Sequence, residues 1–485
     1  MKRLRATLIK NAAFNILRGG AAALAALALP HFLTRSLDTQ RFAAWSLMLQ
    51  IAAYASFLDF GLQTAIARFV AQAIELEQNE RRDRVVETAF VLLAFAGALA
   101  FAVIGGIIAC AGYVFHGVPH ALLGEFQLAA LILALGAALA LPLSAFNGVL
   151  FGMHRNEFPA LTLGGSRALG VVLAIFAAQR THSLIVLALC VAGTALAGGL
   201  AQMPLAAHFM PSLRRMKLHV HRALAAELLR YCGGLTAWSL AMLIISGLDL
   251  TIVAHFQFSA VGFYAIGVSV IALMVGFNSS VLSAFLAPQA TLHARGELER
   301  LTRLLRRTTR GNNLLNFALF FLAVLAGHPL LRLWVGESYA AKALPVLIIL
   351  AAAQAIRLTG VPYCMMLIAT GEQGQAIFSA VCEAAVNLTA SLWLAHSMGY
   401  IGVAWGTLIG AVAGMAALVL YTVPRAQQIS FSRWQMLESG LLRPVLALLP
   451  LGVFTLACSE GRVGLGSIWL AASLLVSGLL TYLLA

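Results

Sequence analysis

Seven charged side chains lie inside apolar runs long enough to cross a bilayer: Arg18, Asp59, Arg68, Arg167, Asp249, Arg357 and Glu383. A charge in hydrocarbon costs about 3 kcal/mol or more, so such groups line a wet cavity or pair with one another. At a helical rise of about 1.5 Å per residue, Arg18, Arg167, Glu383 and Asp59 fall in one layer roughly 10 Å deep, with Arg357 near the midplane. A guanidinium grips phosphate or carboxylate through paired donors and keeps its charge inside a protein. The layer is therefore a candidate anion site built on Arg18, Arg167 and Arg357. Salt bridges holding helices together would use the same residues, but three arginines against two carboxylates leave a cation to spare. Asp59 and Glu383 are either counter-ions or groups that titrate to couple transport to an ion gradient, and the sequence leaves both open. Arg68 and Asp249 are weaker pathway candidates. Arg68 follows Asp59 by nine residues, on the opposite helix face, near an end where its head group reaches water. Asp249 falls near the outer end of its run, where water would solvate it.

The elements that carry these residues must be transmembrane helices. Hydrophobic residues make up 61% of the 485-residue chain and charged residues 10%, whereas a soluble domain carries roughly 25% charged residues. Backbone exposed to lipid has to satisfy its own hydrogen bonds, and the runs lack the alternation of a membrane barrel. The spacing predicts an all-α integral membrane protein of about fourteen spans, near 11–33, 42–66, 86–112, 125–152, 160–179, 184–208, 229–253, 260–285, 312–332, 343–370, 376–397, 401–423, 442–458 and 465–484. Placing the N-terminus in the cytoplasm leaves twenty-two Lys and Arg on the inner side and six on the outer, the bias expected for that orientation. Both termini are then cytoplasmic. The basic N-terminal stretch is expected to open an uncleaved first helix, since its apolar run continues to Phe32.

A shift of 219–220 residues carries Pro142–Gly152 onto Pro362–Gly371, Phe42–Trp45 onto Val261–Tyr264, and Asp59 onto Asn278. Such a repeat predicts two six-helix lobes, 1–225 and 226–424, with an added helix pair in 425–485. Equal numbers of spans relate the lobes by an axis along the membrane normal, a layout suited to alternating access around a central cleft. Gly402, Gly406, Gly410 and Gly414 recur every four residues, a stripe for close helix contact. Leu298, Leu301, Leu304 and Leu305 among arginines read as a basic amphipathic helix lying on the inner leaflet.

Other chemistry has no carrier. No polar segment is long enough for a catalytic module, no Walker A or HExxH sequence occurs, and the six cysteines form no CxxC pair. The net charge of +14 is dispersed over short loops, which indicates topology and contact with anionic lipid, not nucleic acid. No enzyme activity, cofactor or metal is expected. A membrane glycan polymerase or ligase would present a larger outer loop.

The stretch from Arg41-Phe42-Ala43-Ala44-Trp45 through Leu58-Asp59-Phe60-Gly61-Leu62 to Ala67-Arg68-Phe69 resembles the opening of the Wzx-type polysaccharide transporters, oligosaccharide-lipid flippases of the MOP superfamily. Asn147-Gly148-Val149-Leu150-Phe151-Gly152 and Gly371-Glu372-Gln373-Gly374 fit the same pattern. The resemblance implies a flippase for undecaprenyl-diphosphate-linked oligosaccharide in the bacterial inner membrane, serving O-antigen, exopolysaccharide or capsule assembly. It implies a cationic cavity, for which Arg18, Arg167 and Arg357 are the counterparts, and work alongside a glycan polymerase and chain-length proteins. Fourteen spans exceed the twelve common among O-antigen flippases, which keeps peptidoglycan-precursor flippases in view. A multidrug exporter of the superfamily would favour a cavity dominated by carboxylates. Alanine at Arg18, Arg167 or Arg357 is expected to abolish surface glycan while leaving the protein inserted, and normal export by all three variants would remove the cavity assignment.

Overall fold

The computed structural model describes residues 26–115, 117–216, 218–370, 372, 374–426, 431–459 and 468–484. Arg18 and most of the first expected span lie outside the described residues. Helices account for nearly all of the rest: α1, described over 26–36, then α2 (Thr39–Ala53), α3 (Leu62–Glu75), α4 (Asn79–Ala109), α5 (Ala111–Val114), α6 (His120–Gly152), α7 (Glu157–Thr181), α8 (Leu184–Phe209), α9 (Arg222–Met242) and α10 (Asp249–Gln257). They continue with α11 (Val261–Ala294), α12 (Leu298–Val335), α13 (Glu337–Thr359), α14 (Val361–Thr370), α15 (Gly374–Met398), α16 (Tyr400–Ala417), α17 (Val423–Arg425), α18 (Arg433–Leu437), α19 (Arg443–Ser459) and α20 (Ile468–Leu484). Eleven stretches among the described residues are long and apolar enough to cross a membrane, and Ala472–Thr481 is a shorter apolar helix. The protein is thus an all-helical, multi-span membrane protein.

Two compact units divide the chain. Residues up to Leu243 with Ala254–Gly262 form the first, and Ile244–Val253 with the residues from Phe263 onward form the second.

In the first unit, α3, α4, α6, α8 and α9 share a core of Ile66, Val70, Leu93, Phe146, Val149, Met210 and Leu228. Gly148 and Gly152 let α6 lie against α3: a Cβ on Gly148 would sit 2.9 Å from Ile66, and one on Gly152 2.8 Å from the Ala67 carbonyl. Polar groups gather at helix ends. Glu125 accepts from the backbone N–H of Leu184, at the start of α8, at 2.7 Å, where unpaired N–H groups and the helix dipole favour a carboxylate. It also ion-pairs with Arg41 at 3.4 Å.

In the second unit, the glycine stripe of α16 runs along α15. Gly402 faces Leu394, Gly406 faces Ser391, Gly410 faces Asn387 and Gly414 faces Glu383, one helical turn at a time. A second core joins Leu301 and Leu305 of α12 to Tyr363, Met366 and Leu367 of α14, Leu418 and Val419, and Met436 of α18.

Three sequence expectations change. The basic amphipathic segment is not a separate helix on the leaflet. It forms the first turns of the 38-residue α12, and Leu301 and Leu305 are buried in the second core because their face meets α14. The expected span at 343–370 is broken between Thr359 and Val361, where Pro362 cannot supply the N–H of a continuing helix. Its repeat partner Pro142, by contrast, sits inside the unbroken α6. The helical path from α9 to α10 passes through a π-helical turn at Leu243–Gly247.

A methyl on Gly410 would lie 2.6 Å from Asn387 Cβ. Overpacking of this kind typically costs about 1–3 kcal/mol. Gly410→Ala should lower the midpoint of thermal unfolding in detergent by several degrees. Gly165→Ala, where the added methyl meets nothing within 4 Å, should leave it unchanged; equal melting of the two variants would count against the stripe as the contact that fixes α15 on α16.

Candidate functional site

Polar side chains gather in the interior of the second unit on three neighbouring sets of helices. Arg357, two residues before the end of α13, donates through Nε to Glu383 Oε1 on α15. The two side chains are 14% and 10% exposed, and Arg357 Nη2 is buried with no hydrogen-bond partner. Glu383 is fixed from behind by the stripe, since a Cβ on Gly414 would stand 2.7 Å from its carboxylate. A buried ion pair of this kind is costly to break from one side, by about 3–5 kcal/mol, because the survivor is left uncompensated.

Asp249 opens α10 and is 5% exposed. Its Oδ2 accepts from Tyr264 Oη of α11 and Thr407 Oγ1 of α16, each at 3.1 Å, while Oδ1 is buried without a partner. This corrects the expectation of a solvated Asp249. The π-helical turn ends the preceding helix short, and α11 and α16 close over the carboxylate. One turn along α15 from Glu383, Asn387 Nδ2 donates to the Ile245 carbonyl of that π-helical turn at 2.9 Å, and Ser391 Oγ donates to Asn387 Oδ1 at 3.0 Å. Asn387 thus joins the helix that carries Glu383 to the turn that leads into Asp249, so the pair and the carboxylate belong to one polar region.

A set of asparagines completes it. Asn278 Nδ2 of α11 donates to Asn312 Oδ1 at 2.6 Å and to Asn316 Oδ1 at 3.0 Å. Asn312 Nδ2 donates to the Leu358 carbonyl beside the α13–α14 break at 2.8 Å, and to Asn313 Oδ1 at 3.0 Å. Asn313 Nδ2 reaches the Gly440 carbonyl at 2.5 Å, tying the segment that leads into α19 to α12. Hydrogen bonds between membrane helices are individually worth about 0.6–2 kcal/mol, so the set matters through the helices it joins. Attention to charge alone misses Tyr264, Asn387, Thr407 and this asparagine group. The signal was present in Asn312-Asn313-Leu314-Leu315-Asn316, three amides within five residues at the start of an apolar run.

The remaining sequence candidates belong to the first unit. Asp59 ends a six-residue 3₁₀ turn and accepts from the Gly61 N–H at 2.8 Å. It holds a tight reversal in which Phe60 (φ 51°) and Gly61 (φ 77°) both adopt left-handed backbone. Its repeat counterpart Asn278, in contrast, lies within the unbroken α11. Arg68 is exposed, with its guanidinium 4.8 Å above the Tyr231 ring. Arg167 lies exposed on α7. The structure therefore brings Arg357, Glu383 and Asp249 together in the second unit, whereas Asp59, Arg68 and Arg167 belong to the first. Among the described residues, the polar region of the second unit holds one arginine and two carboxylates, not the arginine excess expected for the whole layer.

A family model described as polysaccharide biosynthesis protein matches residues 8–289. No curated protein matches the chain. Among solved structures, the lipid II flippase MurJ in an inward closed conformation is similar with a TM-score of 0.71 at 12% identity, covering 98% of each chain. An inward-facing multidrug resistance MATE family transporter of the MOP superfamily gives a TM-score of 0.66 at 15% identity, covering 83% of this chain and 94% of that one. The Vibrio cholerae MATE transporter VcmN, in a variant form, gives 0.61 at 17% identity, with 87% and 97% covered. At these identities the likeness is one of fold, whereas the family match spans more than half of the sequence and includes α2, α3 and the Gly148–Gly152 contact. The chain belongs to the polysaccharide biosynthesis protein family, and its fold is that of the MOP-superfamily structures it resembles.

Proposed function

We propose that this transporter moves undecaprenyl-diphosphate-linked oligosaccharide from the cytoplasmic to the periplasmic leaflet of the bacterial inner membrane, with both of its termini in the cytoplasm, for surface polysaccharide assembly. The observation that carries the reading is the Arg357–Glu383 pair. Arg357 is held through Nε by a carboxylate while Nη2 is buried and unpartnered. A diphosphate oxygen offers Nη2 the acceptor it lacks, and a second oxygen replaces Glu383 at Nε. A guanidinium suits that bidentate exchange and an ammonium does not. Glu383 is thereby released, and Asp249 of the same unit is the second carboxylate whose charge sets the affinity of the region for an anion. Headgroup binding is thereby linked to proton or cation binding on two carboxylates, which lets an ion gradient drive the access of the site from one leaflet to the other. Arg18 and Arg167 serve as further anion contacts along the route, with Asp59 as a counter-ion in the first unit. Glycan polymerase and chain-length proteins are the partners that such a step feeds.

A lipid-linked cargo is favoured over a small soluble drug by the extent of the structural likeness. MurJ, named as a lipid II flippase, matches 98% of the chain, whereas the MATE transporters match 83% and 87% of it.

A charge exchange tests the role of the pair. Arg357→Ala should lower surface glycan export at least tenfold, and Arg357→Lys should fail to restore it although it keeps the charge. The double variant Arg357→Glu with Glu383→Arg should recover the thermal stability lost in either single variant but not export, measured as surface glycan per inserted protein. Recovery of export together with stability would make the pair a structural salt bridge and overturn the reading. Asp249→Asn should preserve insertion while removing the dependence of export on the ion gradient, read in vesicles with and without an imposed gradient; a gradient dependence equal to that of the unaltered protein would exclude Asp249 from coupling.

A further inference from the structure

One carbonyl of the second unit loses its helical donor through the sequence itself. In a continuous helix the carbonyl of Leu358 would accept from the N–H of residue 362, and Pro362 has none. Helix α13 stops at Thr359 with Arg357 in its last turn, and the Gly360 N–H is drawn to the Arg357 carbonyl at 3.2 Å. The donor that stands in for Pro362 comes from another helix: Asn312 Nδ2 of α12 reaches the Leu358 carbonyl at 2.8 Å. Both residues are buried.

Asn312 is held in the one orientation that can do this. Its other amide hydrogen goes to Asn313 Oδ1 at 3.0 Å, and its Oδ1 accepts from Asn278 Nδ2 at 2.6 Å. Turned over, the amide would set an oxygen against the Leu358 carbonyl and a donor against the Asn278 donor. The donors and the oxygen of Asn312 are thus all engaged, whereas Asn278 Oδ1 and Asn316 Nδ2 are buried without partners. The internal repeat supplies a contrast within the same chain. A shift of 220 carries Pro362 onto Pro142, Leu358 onto Ala138 and Arg357 onto Ala137. There α6 continues unbroken, and the Ala138 carbonyl faces bare backbone, since a Cβ on Gly97 would stand 2.5 Å from its oxygen. The amide accompanies the arginine and the helix break, and the proline alone does not call for it.

We infer that Asn312 is a positioning residue for Arg357. By giving the Leu358 carbonyl the donor that Pro362 withholds, it fixes the last turn of α13. It thereby sets the direction in which the preceding residue, Arg357, presents its guanidinium to Glu383 on α15. A binding group works when its neighbours lock it in its productive place, and a helix end needs such a lock because its last carbonyls lack helical partners. Asn313, which accepts from Asn312, also donates to the Gly440 carbonyl, so the lock extends to the turn leading into α19. The inference rests on the reading of Arg357 as the headgroup contact, while its geometry concerns where the guanidinium stands, whatever anion it meets.

Two measurements on the full chain in detergent test it. The first involves no cargo. The coupling between Arg357→Ala and Glu383→Gln is read from the melting midpoints of the single and double variants, then read again with Asn312→Ala present throughout. Asn312→Ala should reduce that coupling by about half or more, and an unchanged coupling overturns the positioning role. The second is the affinity for undecaprenyl diphosphate, titrated by native mass spectrometry. Asn312→Ala should weaken it about fivefold where Arg357 is present and leave it unchanged in the Arg357→Ala variant, because a residue that acts through the guanidinium has nothing to act on once it is gone. Equal weakening in both backgrounds makes Asn312 a structural residue of the bundle and overturns the inference. So does full affinity in Asn312→Ala when Arg357→Ala itself binds weakly. If Asn312→Ala does not insert, Asn278→Ala removes the donor that orients the Asn312 amide and should give the same pattern with a smaller loss; its absence counts equally against the proposal. If Arg357→Ala binds undecaprenyl diphosphate as the unaltered protein does while Asn312→Ala still reduces the coupling, the headgroup reading falls and the positioning of Arg357 stands.

Discussion

The polar interior of the second unit depends on how closely α15 and α16 approach. Four glycines on α16 leave no side chain between the helices, so Leu394, Ser391, Asn387 and Glu383 each meet bare backbone. In lipid, where apolar side chains gain little by leaving one apolar medium for another, close packing of this kind is a main source of helix association. It also has a positional effect. Glu383 is pressed toward Arg357, and Asn387 toward the carbonyl of Ile245. Bulkier residues on α16 would move both acceptor and amide away from their partners, and two groups that are tolerable only when paired would be left in the interior.

The same unit shows how a membrane helix bundle accommodates irregular backbone. A helix that breaks or widens exposes carbonyls, and three of those here meet an amide side chain: Leu358 meets Asn312, Ile245 meets Asn387, and Gly440 meets Asn313. Irregular backbone at membrane depth is tolerated where protein satisfies it. Asparagine is suited to the role because it carries two donors and an acceptor without a net charge. The pattern accounts for buried amides that a search for ionisable groups passes over.

The fold was legible because its cause is simple. Long apolar runs in a bilayer have one available structure, and the glycine stripe at Gly402–Gly414 announces a close contact by its period. The site was only partly legible. Arg357 and Glu383 stand out by type, yet their pairing depends on where α13 ends and on the register of α15 against α16, and neither is written in a single span. Asp249 was misjudged as solvated because a position near the end of a run was equated with exposure, whereas tertiary packing from Tyr264 and Thr407 decides its burial. The segment from Leu298 was misjudged for a related reason. Its leucine face was assigned to lipid, but α14 and α18 supply the apolar surface it needs.

The length of α12 has a mechanical consequence. From Leu298 to Pro329 the helix carries no proline, a stretch of about 47 Å at 1.5 Å per residue. Sharp bends in helices need a specific cause such as proline, so this stretch behaves as a stiff lever. The asparagines that grip α11 and the α13–α14 break attach about half way along it. A tilt of about 5° over that length carries the basic end sideways by roughly 4 Å, comparable to the spacing between neighbouring side chains. Whatever holds one end of the lever therefore also sets the strain at its pivot.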